Sequence, residues 1–327
     1  MMARARGSLI DLAATPYYHV VSRCVRRAFL CGEDKHTGQN YNHRRQWVLD
    51  KLKLLSSVFS IDIAAYAIMS NHYHVVLKVD RDSALSWTQD EVIERWYRLY
   101  KGNALVDLYR KEMIDDDARL NKVTEITNEW RTRLYDISWF MRNLNEGIAR
   151  EANKEDNCKG RYWEGRYYSQ ALLDEQAVLS CMMYVDLNPV RAGMCDDLEH
   201  SDYTSIQARI KQYQANKSDS NPTPSLDTKQ PKYLLPFGHS QDRHAIGFTL
   251  YDYLELADWS GRAIVPNKSD AIDSTAPKLI TTLGITPDDW LETVKNFRRQ
   301  YGHFAGSEQA LRQCANDHHQ HWYKGVG

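Results

Sequence analysis

Two histidines separated by one residue, His72 and His74, begin an apolar segment with the composition of a β-strand. Side chains at positions i and i+2 of a strand project from the same face, so the two imidazoles are expected to lie side by side. Paired neutral imidazoles are suitable ligands for a divalent metal ion. The pair is also compatible with two polar side chains on a solvated strand face.

A second segment places a tyrosine and an asparagine at helical spacing. Tyr184 and Asn188 are four residues apart, so they share one face of a helix. The asparagine amide oxygen could complete a metal site, and the neighbouring tyrosine could attack a group that the metal activates. The alternative is an ordinary packed tyrosine followed by a helix that stops at an Asn-Pro pair.

A third segment, residues 159–168, interleaves cations, aromatic rings and glycines. Arginine binds phosphate, aromatic rings stack on bases and glycine permits close approach, so this composition suits a single-stranded nucleic acid. It is equally compatible with a loop that enters a strand carrying core aromatics.

The elements that must position these residues follow from hydrophobic periodicity. The pattern predicts, in chain order, strands and helices at 17–23 (strand), 41–59 (helix), 61–68 (strand), 72–79 (strand), 136–153 (helix), 166–173 (strand) and 174–187 (helix). The last helix is predicted to stop at Asn188-Pro189 because proline cannot continue it. The first six elements have the β-α-β-β-α-β order of a ferredoxin-like antiparallel sheet, which predicts an α+β protein.

The remaining segments predict an insertion, a linker and a second domain. Residues 81–134 form a helical insertion in the pattern. Residues 214–232 contain three prolines and lack large apolar periodicity, which predicts a linker. Residues 233–327 carry helical periodicity and are predicted to form a small, mainly helical domain whose role the sequence does not indicate.

Composition excludes several classes of protein. With 43% hydrophobic and 26% charged residues, a packed globular core is expected. We find neither an apolar run long enough for a membrane helix nor a signal peptide, and therefore expect a cytoplasmic protein.

The six cysteines lack zinc-finger spacing and are expected to be free thiols. The net charge of -1 argues against strong non-specific nucleic-acid binding, although the N-terminal part is basic.

Four segments together resemble a known family. The strings Tyr17–Arg23, Met69–Val75, Gly160–Tyr167 and Tyr184–Gly193 closely resemble the REP-associated tyrosine transposases, of the insertion-sequence-200-like group of HUH single-strand nucleases. The resemblance covers about residues 15–210 and implies a catalytic domain over 1–210.

The resemblance implies a role for each matching residue. His72 and His74 stand at the two metal-binding histidines, and Tyr184 stands at the nucleophile. Asn188 matches the third ligand position, where relatives carry Gln or Asn. Tyr73 departs from the usual aliphatic residue, which is tolerated if the opposite face of the strand is a hydrophobic core.

The implied reaction is the cutting and rejoining of single-stranded DNA, presented beside a hairpin, through a 5′-phosphotyrosine. Mg²⁺ or Mn²⁺ is the expected ion, although two imidazoles would also accept Zn²⁺. Relatives occur as dimers and as monomers, so a homodimer is one of two expected states. The residues expected to contact DNA are Arg161, Arg166, Arg23, Arg26, Arg27 and, as a stacking surface, Trp163.

Two other functions remain open. A non-catalytic nucleic-acid-binding regulator on the same sheet would need Tyr18, Tyr73 and Trp163 on one exposed face and no metal. A metal-dependent phosphodiesterase would use water in place of Tyr184. The absence of a Walker motif and of a dinucleotide-binding glycine loop argues against NTPases and dehydrogenases.

Overall fold

A five-stranded β-sheet forms the centre of the computed structural model, which describes residues 9–25, 30–33, 38–219, 229–239, 242–264 and 277–325. The strands are β1 (Tyr17–Arg23), β2 (Ile61–Ile68), β3 (His72–Val79), β4 (Tyr168–Leu172) and β5 (Phe304–Ala305). The helices are α1 (His43–Val58), α2 (Arg81–Ser86), α3 (Gln89–Tyr97), α4 (Ala104–Arg110), α5 (Asp117–Arg133), α6 (Ile137–Glu155), α7 (Glu175–Asp186), α8 (Asn188–Arg191), α9 (Ser205–Asp219), α10 (Leu250–Ile264), α11 (Lys278–Thr282), α12 (Pro287–Gln300) and α13 (Glu308–Asp317).

The sheet has the strand order β2-β3-β1-β4-β5. The first four strands are antiparallel to their neighbours, whereas β5 runs parallel to β4. The α+β class is therefore confirmed. The predicted limits of β1, β2 and β3 are also confirmed, and β4 begins two residues later than predicted.

Alternation along β3 assigns its side chains to two different environments. Tyr73 is fully buried, and its hydroxyl donates to the Asn145 side chain of α6 at 2.6 Å. His74 projects from the opposite face, where it meets α7 and α8. Tyr73 therefore packs into the buried face of the strand, and the sequence analysis named a buried face as the requirement for an aromatic residue at this position.

The segment between β3 and α6 folds into α2, α3, α4 and α5, which pack through aromatic rings. The indoles of Trp96 and Trp130 stack at 5.1 Å between centroids, and Tyr100 stacks on Trp96 at 4.2 Å. Thr88 and Glu91 form a reciprocal capping box at the start of α3. Contacts of α5 with α2, α3 and α4 hold this helical segment together.

The helix that carries Tyr184 begins and ends as predicted, and a short second helix follows it directly. The Asp174 side chain caps α7 by accepting from the backbone N–H of Ala177 at 2.8 Å. After Asp186 the chain turns directly into α8, with Pro189 in its first turn. Proline is tolerated there because the first N–H groups of a helix have no intrahelical partner. The predicted stop before Asn188-Pro189 is therefore confirmed, and Asn188 begins a separate short helix.

The C-terminal region contacts the sheet and the helix that carries Tyr184. β5 extends the sheet beyond β4, and α12 packs against α7. The predicted linker was wrong at its start, because α9 continues to Asp219, and residues 220–228 lie outside the described part. A polar helix end without apolar periodicity has the same composition as a linker, which explains the error. The division into domains remains a prediction.

Asp186, at the end of α7, is a fully buried carboxyl held by three donors. The hydroxyls of Ser205 and Tyr253 donate to it at 2.5 Å and 2.6 Å, and the backbone N–H of Ile206 donates at 3.0 Å. Burial raises the pKa of Asp186 to about 6, and these hydrogen bonds oppose that rise. The carboxyl thereby links α7 to α9 and α10.

Tyr253→Phe should lower the free energy of unfolding by about 1–3 kcal/mol, because it removes one donor from a buried carboxylate. Urea denaturation at pH 7 measures this loss. Tyr251→Phe is the matched control, since Tyr251 lies on the same helix and is 48% exposed. Equal stability of the two variants would contradict a structural role for the bond to Asp186.

None of the helices within the described ranges combines the length and the hydrophobicity needed to cross a bilayer.

Candidate functional site

Side chains from β3, α7 and α8 meet at one point on the sheet. The ring of Tyr184 lies 5.6 Å from that of His74, and the His72 ring lies 4.9 Å from His74. The side-chain nitrogen of Asn188 is 3.0 Å from His74 Nε2. Residues separated by more than 100 positions in the chain are thus brought together because α7 packs on the face of β3 that carries His72 and His74.

A chain of hydrogen bonds fixes the protonation of His74. The Gln170 amide nitrogen donates to the Gly302 carbonyl at 2.7 Å, so its oxygen faces His19 Nδ1 at 3.2 Å. His19 Nδ1 must therefore carry the proton, and its Nε2 must accept from His74 Nδ1 at 2.9 Å. The Nε2 atom of His74 consequently carries no proton, and its lone pair faces the Asn188 side chain.

His19 is a site residue that the sequence analysis missed. It is fully buried, and its ring stacks on His74 with 5.1 Å between centroids. Val21 pairs with His74 in the sheet, and His19 lies two residues earlier on the same face of β1. The predicted ferredoxin-like sheet already makes β1 and β3 neighbours, so the missing information was the register that pairs Val21 with His74.

Burial keeps all three imidazoles neutral. Burial lowers the pKa of His19 to about 4, and it does the same at His72, where the positive charges of Arg23 and Arg298 add to the effect. The pKa of His74 lies well below its ordinary value because of burial and the adjacent rings. Neutral imidazoles retain the lone pairs that a metal ion or a hydrogen-bond donor needs.

Tyr184 is nearly buried and its phenol is protonated at neutral pH. Burial raises the pKa of Tyr184, whereas the guanidinium groups of Arg191 and Arg298 and a hydrogen bond with the Asn188 side chain act in the opposite direction. Its ring is held by Phe297 of α12, which stacks on it at 5.8 Å between centroids. The hydroxyl is therefore fixed beside two positive charges and the Asn188 amide.

The buried imidazoles predict a loss of stability in acid. The pKa of His19 is 6.5 in the unfolded chain and about 4 in the folded protein, so between pH 6.5 and pH 4 the unfolded chain gains the proton before the folded protein does. The contribution of His19 to the free energy of unfolding should fall by about 2 kcal/mol between pH 7.5 and 5. Urea denaturation of chelator-treated protein across this range measures the fall. His19→Gln should be less pH-dependent by about that amount, and an unchanged pH profile would contradict the prediction.

The donor set can be tested against a divalent ion. An octahedral ion with bonds of about 2.1 Å holds adjacent ligand atoms about 3.0 Å apart, and His74 Nε2 and the Asn188 amide are separated by 3.0 Å. The amide can be turned to present its oxygen, because its two ends are interchangeable in shape. Within the described ranges, no group of three or more His, Cys, Asp or Glu could hold a metal. A site here would therefore consist of His72, His74 and the Asn188 amide.

The predicted DNA contacts have different environments. Arg23, Arg161 and Arg166 are exposed, and Arg23 pairs with His72 in the sheet. Arg166 lines a groove of 510 Å³ between α6 and the segment that enters β4, together with Trp139 and Arg142. Arg26 and Arg27 lie outside the described residues.

Trp163 requires a correction. Its side chain is only 9% exposed, its indole nitrogen donates to the Asn145 carbonyl at 2.8 Å, and its ring packs edge-on against Tyr73. A ring in this position anchors the loop to α6 and does not offer a free stacking face. The sequence could not separate the two roles because aromatic residues suit both a core and a nucleic-acid surface.

A cavity of 590 Å³ lies at the other end of β1 and β3. It is lined by residues such as Tyr17, Lys78, Asp80 and Glu175, and it includes neither His74 nor Tyr184. This cavity and the histidine–tyrosine cluster are therefore separate features.

Comparison with known proteins finds a match among solved structures alone. No protein-family model matches the sequence, and no curated protein matches it. A solved structure of a REP-associated tyrosine transposase bound to a REP hairpin aligns with 68% of this chain and 93% of that chain, at 9% identity and a TM-score of 0.35.

Proposed function

We propose that this protein is a transposase-like strand transferase that cuts and rejoins single-stranded DNA through a phosphotyrosine at Tyr184. The observation that carries the proposal is the meeting of Tyr184 and Asn188 with the lone pair of His74. A helical tyrosine that served only for packing would not need two neutral imidazoles, an amide and two guanidinium groups around it.

The arrangement of strands supports the catalytic fold that we propose for residues 1–210. β2, β3, β1 and β4 lie in that order and are all antiparallel, which is the arrangement expected of a ferredoxin-like sheet. In such a sheet β1 and β3 are central neighbours, so a site built on them has rigid support from both sides.

In the proposed reaction the Tyr184 oxygen attacks the phosphorus of a phosphodiester. The new bond joins that oxygen to phosphorus, and the bond between phosphorus and the 3′ oxygen of the departing strand breaks. The phenol proton passes through solvent to the departing oxygen, which leaves as a 3′-OH. The phosphoester is conserved in the covalent link, so a second 3′-OH can reverse the step without ATP.

We propose that His72, His74 and the Asn188 amide hold Mg²⁺ or Mn²⁺, which when bound would supply positive charge to the phosphate oxygens. All three ligands are neutral, so the ion's double charge is retained for the phosphate. His19 keeps the proton of His74 on Nδ1 and thereby keeps its Nε2 lone pair available. Phe297 and Arg191 hold the Tyr184 ring in place.

The regulator alternative lacks the surface that it needs. Tyr18 and Tyr73 are fully buried, and Trp163 is nearly so, which leaves them unable to stack on bases. The phosphodiesterase alternative uses the same imidazoles and amide, and it differs only in the nucleophile.

Trapping of a covalent adduct separates these functions. The protein is incubated with Mn²⁺ and a pool of labelled single-stranded and hairpin oligonucleotides, then denatured in detergent. The proposal expects labelled DNA to remain attached to the protein, with the attachment mapped to Tyr184 by mass spectrometry. Cleavage without an adduct would identify the phosphodiesterase, and binding without cleavage would identify the regulator.

A further inference from the structure

Three arginines from separate parts of the chain surround the histidine–tyrosine cluster. Arg23 ends β1, Arg191 ends α8 and Arg298 lies in the last turn of α12. All three side chains are exposed. Between residues 9 and 325, leaving aside the undescribed gaps, none of them forms a salt bridge.

Arg191 is held against Tyr184 by the C-terminal region. Its guanidinium carbon lies 4.9 Å from the centre of the Tyr184 ring, and its Nη2 donates to the Lys295 carbonyl of α12 at 2.6 Å. That hydrogen bond uses one nitrogen and orients the side chain beside the phenol. The remaining donors of the guanidinium group are available to an anion.

Arg298 reaches the same face of the sheet from α12. Its guanidinium carbon lies 5.2 Å from the centre of the Tyr168 ring. Val21 pairs with Tyr168 on one side and with His74 on the other, so the three form a row across the sheet. Neighbouring strands are about 4.8 Å apart, which places the Cα atom of Tyr168 about 10 Å from that of His74. Arg298 therefore stands at one end of the row.

Arg23 completes the arrangement at the other side. It lies opposite His72 in the β1–β3 ladder, and residues directly opposite in a ladder project from the same face. Uncompensated positive charge beside a nucleophile favours a negatively charged ligand.

We propose that Arg23, Arg191 and Arg298 form a phosphodiester-binding site around Tyr184, and that α12 of the C-terminal region completes it. Guanidinium groups bind phosphate with charge-assisted, often bidentate hydrogen bonds. Three of them on different elements offer separate donor groups to the phosphates of an extended single strand. The identification of the anion as a nucleic-acid phosphate rests on the proposed function, whereas the anion site itself rests on the geometry.

The experiment measures binding of a fluorescein-labelled 20-nucleotide oligothymidylate by anisotropy, in EDTA to prevent cleavage, across a series of salt concentrations. Arg298→Gln and Arg191→Gln should each weaken binding about tenfold at low salt. Each should also reduce the slope of log affinity against log salt by about 0.7, the value for one lost phosphate contact on a single strand. Arg298→Lys should retain the wild-type slope because the charge remains.

Arg299→Gln is the matched control, since Arg299 is exposed on the same helix and, among the residues that the structure describes, no ring or ion-pair contact joins it to the cluster. It should bind within twofold of wild type with an unchanged slope. Equal affinity and slope for Arg298→Gln and Arg299→Gln would overturn the proposal. The proposal would also be overturned if Arg298→Lys lost binding while Arg298→Gln kept the wild-type salt slope.

The outcome is independent of the chemistry proposed for Tyr184. If the wild-type protein forms no covalent adduct but Arg298→Gln alters the salt slope, the anion site stands and the strand-transfer reaction does not. If the adduct forms and the arginine variants bind like Arg299→Gln, the reaction stands and the anion site does not.

Discussion

Tyr184→Phe is expected to abolish the covalent protein–DNA adduct and to slow cleavage at least about a thousandfold, because the substitution removes only the attacking oxygen. The ring remains stacked on Phe297 and beside Arg191, so the fold and the DNA affinity should be nearly unchanged. Detergent-resistant labelling and single-turnover cleavage measure the effect, and anisotropy measures the affinity. The expected pattern is therefore a loss of chemistry with retention of binding.

Tyr168→Phe is the matched control for this prediction. Tyr168 lies on the same face of the sheet, close to Arg298, and its hydroxyl donates to the Gly302 carbonyl at 2.6 Å. The control loses a phenol near the site but should retain adduct formation. Cleavage by Tyr184→Phe at the wild-type rate would exclude Tyr184 as the nucleophile, and loss of the adduct only in Tyr168→Phe would reassign that role.

His72→Ala is expected to lower metal-dependent cleavage at least about a hundredfold, because it removes one of the three proposed ligands. His72 is half-buried and its pKa is lowered to about 4, so the imidazole is neutral at pH 7 and free to bind a cation. Wild-type cleavage should stop in EDTA and return on addition of Mn²⁺ or Mg²⁺. Calorimetric titration with Mn²⁺ provides a readout that does not depend on activity.

His321→Ala is the control for the metal prediction, since His321 is exposed and lies in the C-terminal segment beyond α13. It should leave Mn²⁺ affinity and cleavage unchanged. Retention of full Mn²⁺ affinity by His72→Ala, or full wild-type activity after chelation, would reject the metal site. The hydrogen bond between His72 Nδ1 and Asn71 at 2.6 Å then remains as a purely structural role for the imidazole.

The C-terminal region has a physical connection to the site that its sequence did not indicate. α12 contributes Phe297 against the Tyr184 ring and Arg298 beside Tyr168. The Gly302 carbonyl, in the segment between α12 and β5, sets the direction of the hydrogen bonds that end at His74. Substitutions in this region are therefore expected to affect the site through three separate contacts.

Local patterns determined much of the framework. Aromatic and β-branched composition predicted β1, an apolar run predicted β2, and alternation predicted β3, while the starts of α6 and α7 were predicted at Asp136 and Asp174. Spacing placed His72 and His74 on one strand face, and Tyr184 with Asn188 in adjacent helical turns. These features depend on residues within a few positions of one another, so one segment of sequence contains all the information that they need.

Only the tertiary structure decided which segments meet. His19 became a partner of His74 through the pairing of β1 with β3, and Arg298 reached the site because α12 packs on α7. The sequence predicted that Trp163 contacts DNA, whereas the structure packs it against Tyr73 because the loop before β4 lies over α6. Strand order and helix packing depend on many apolar contacts between residues that are distant in the sequence. The spacing of residues within one segment contains no information about those contacts.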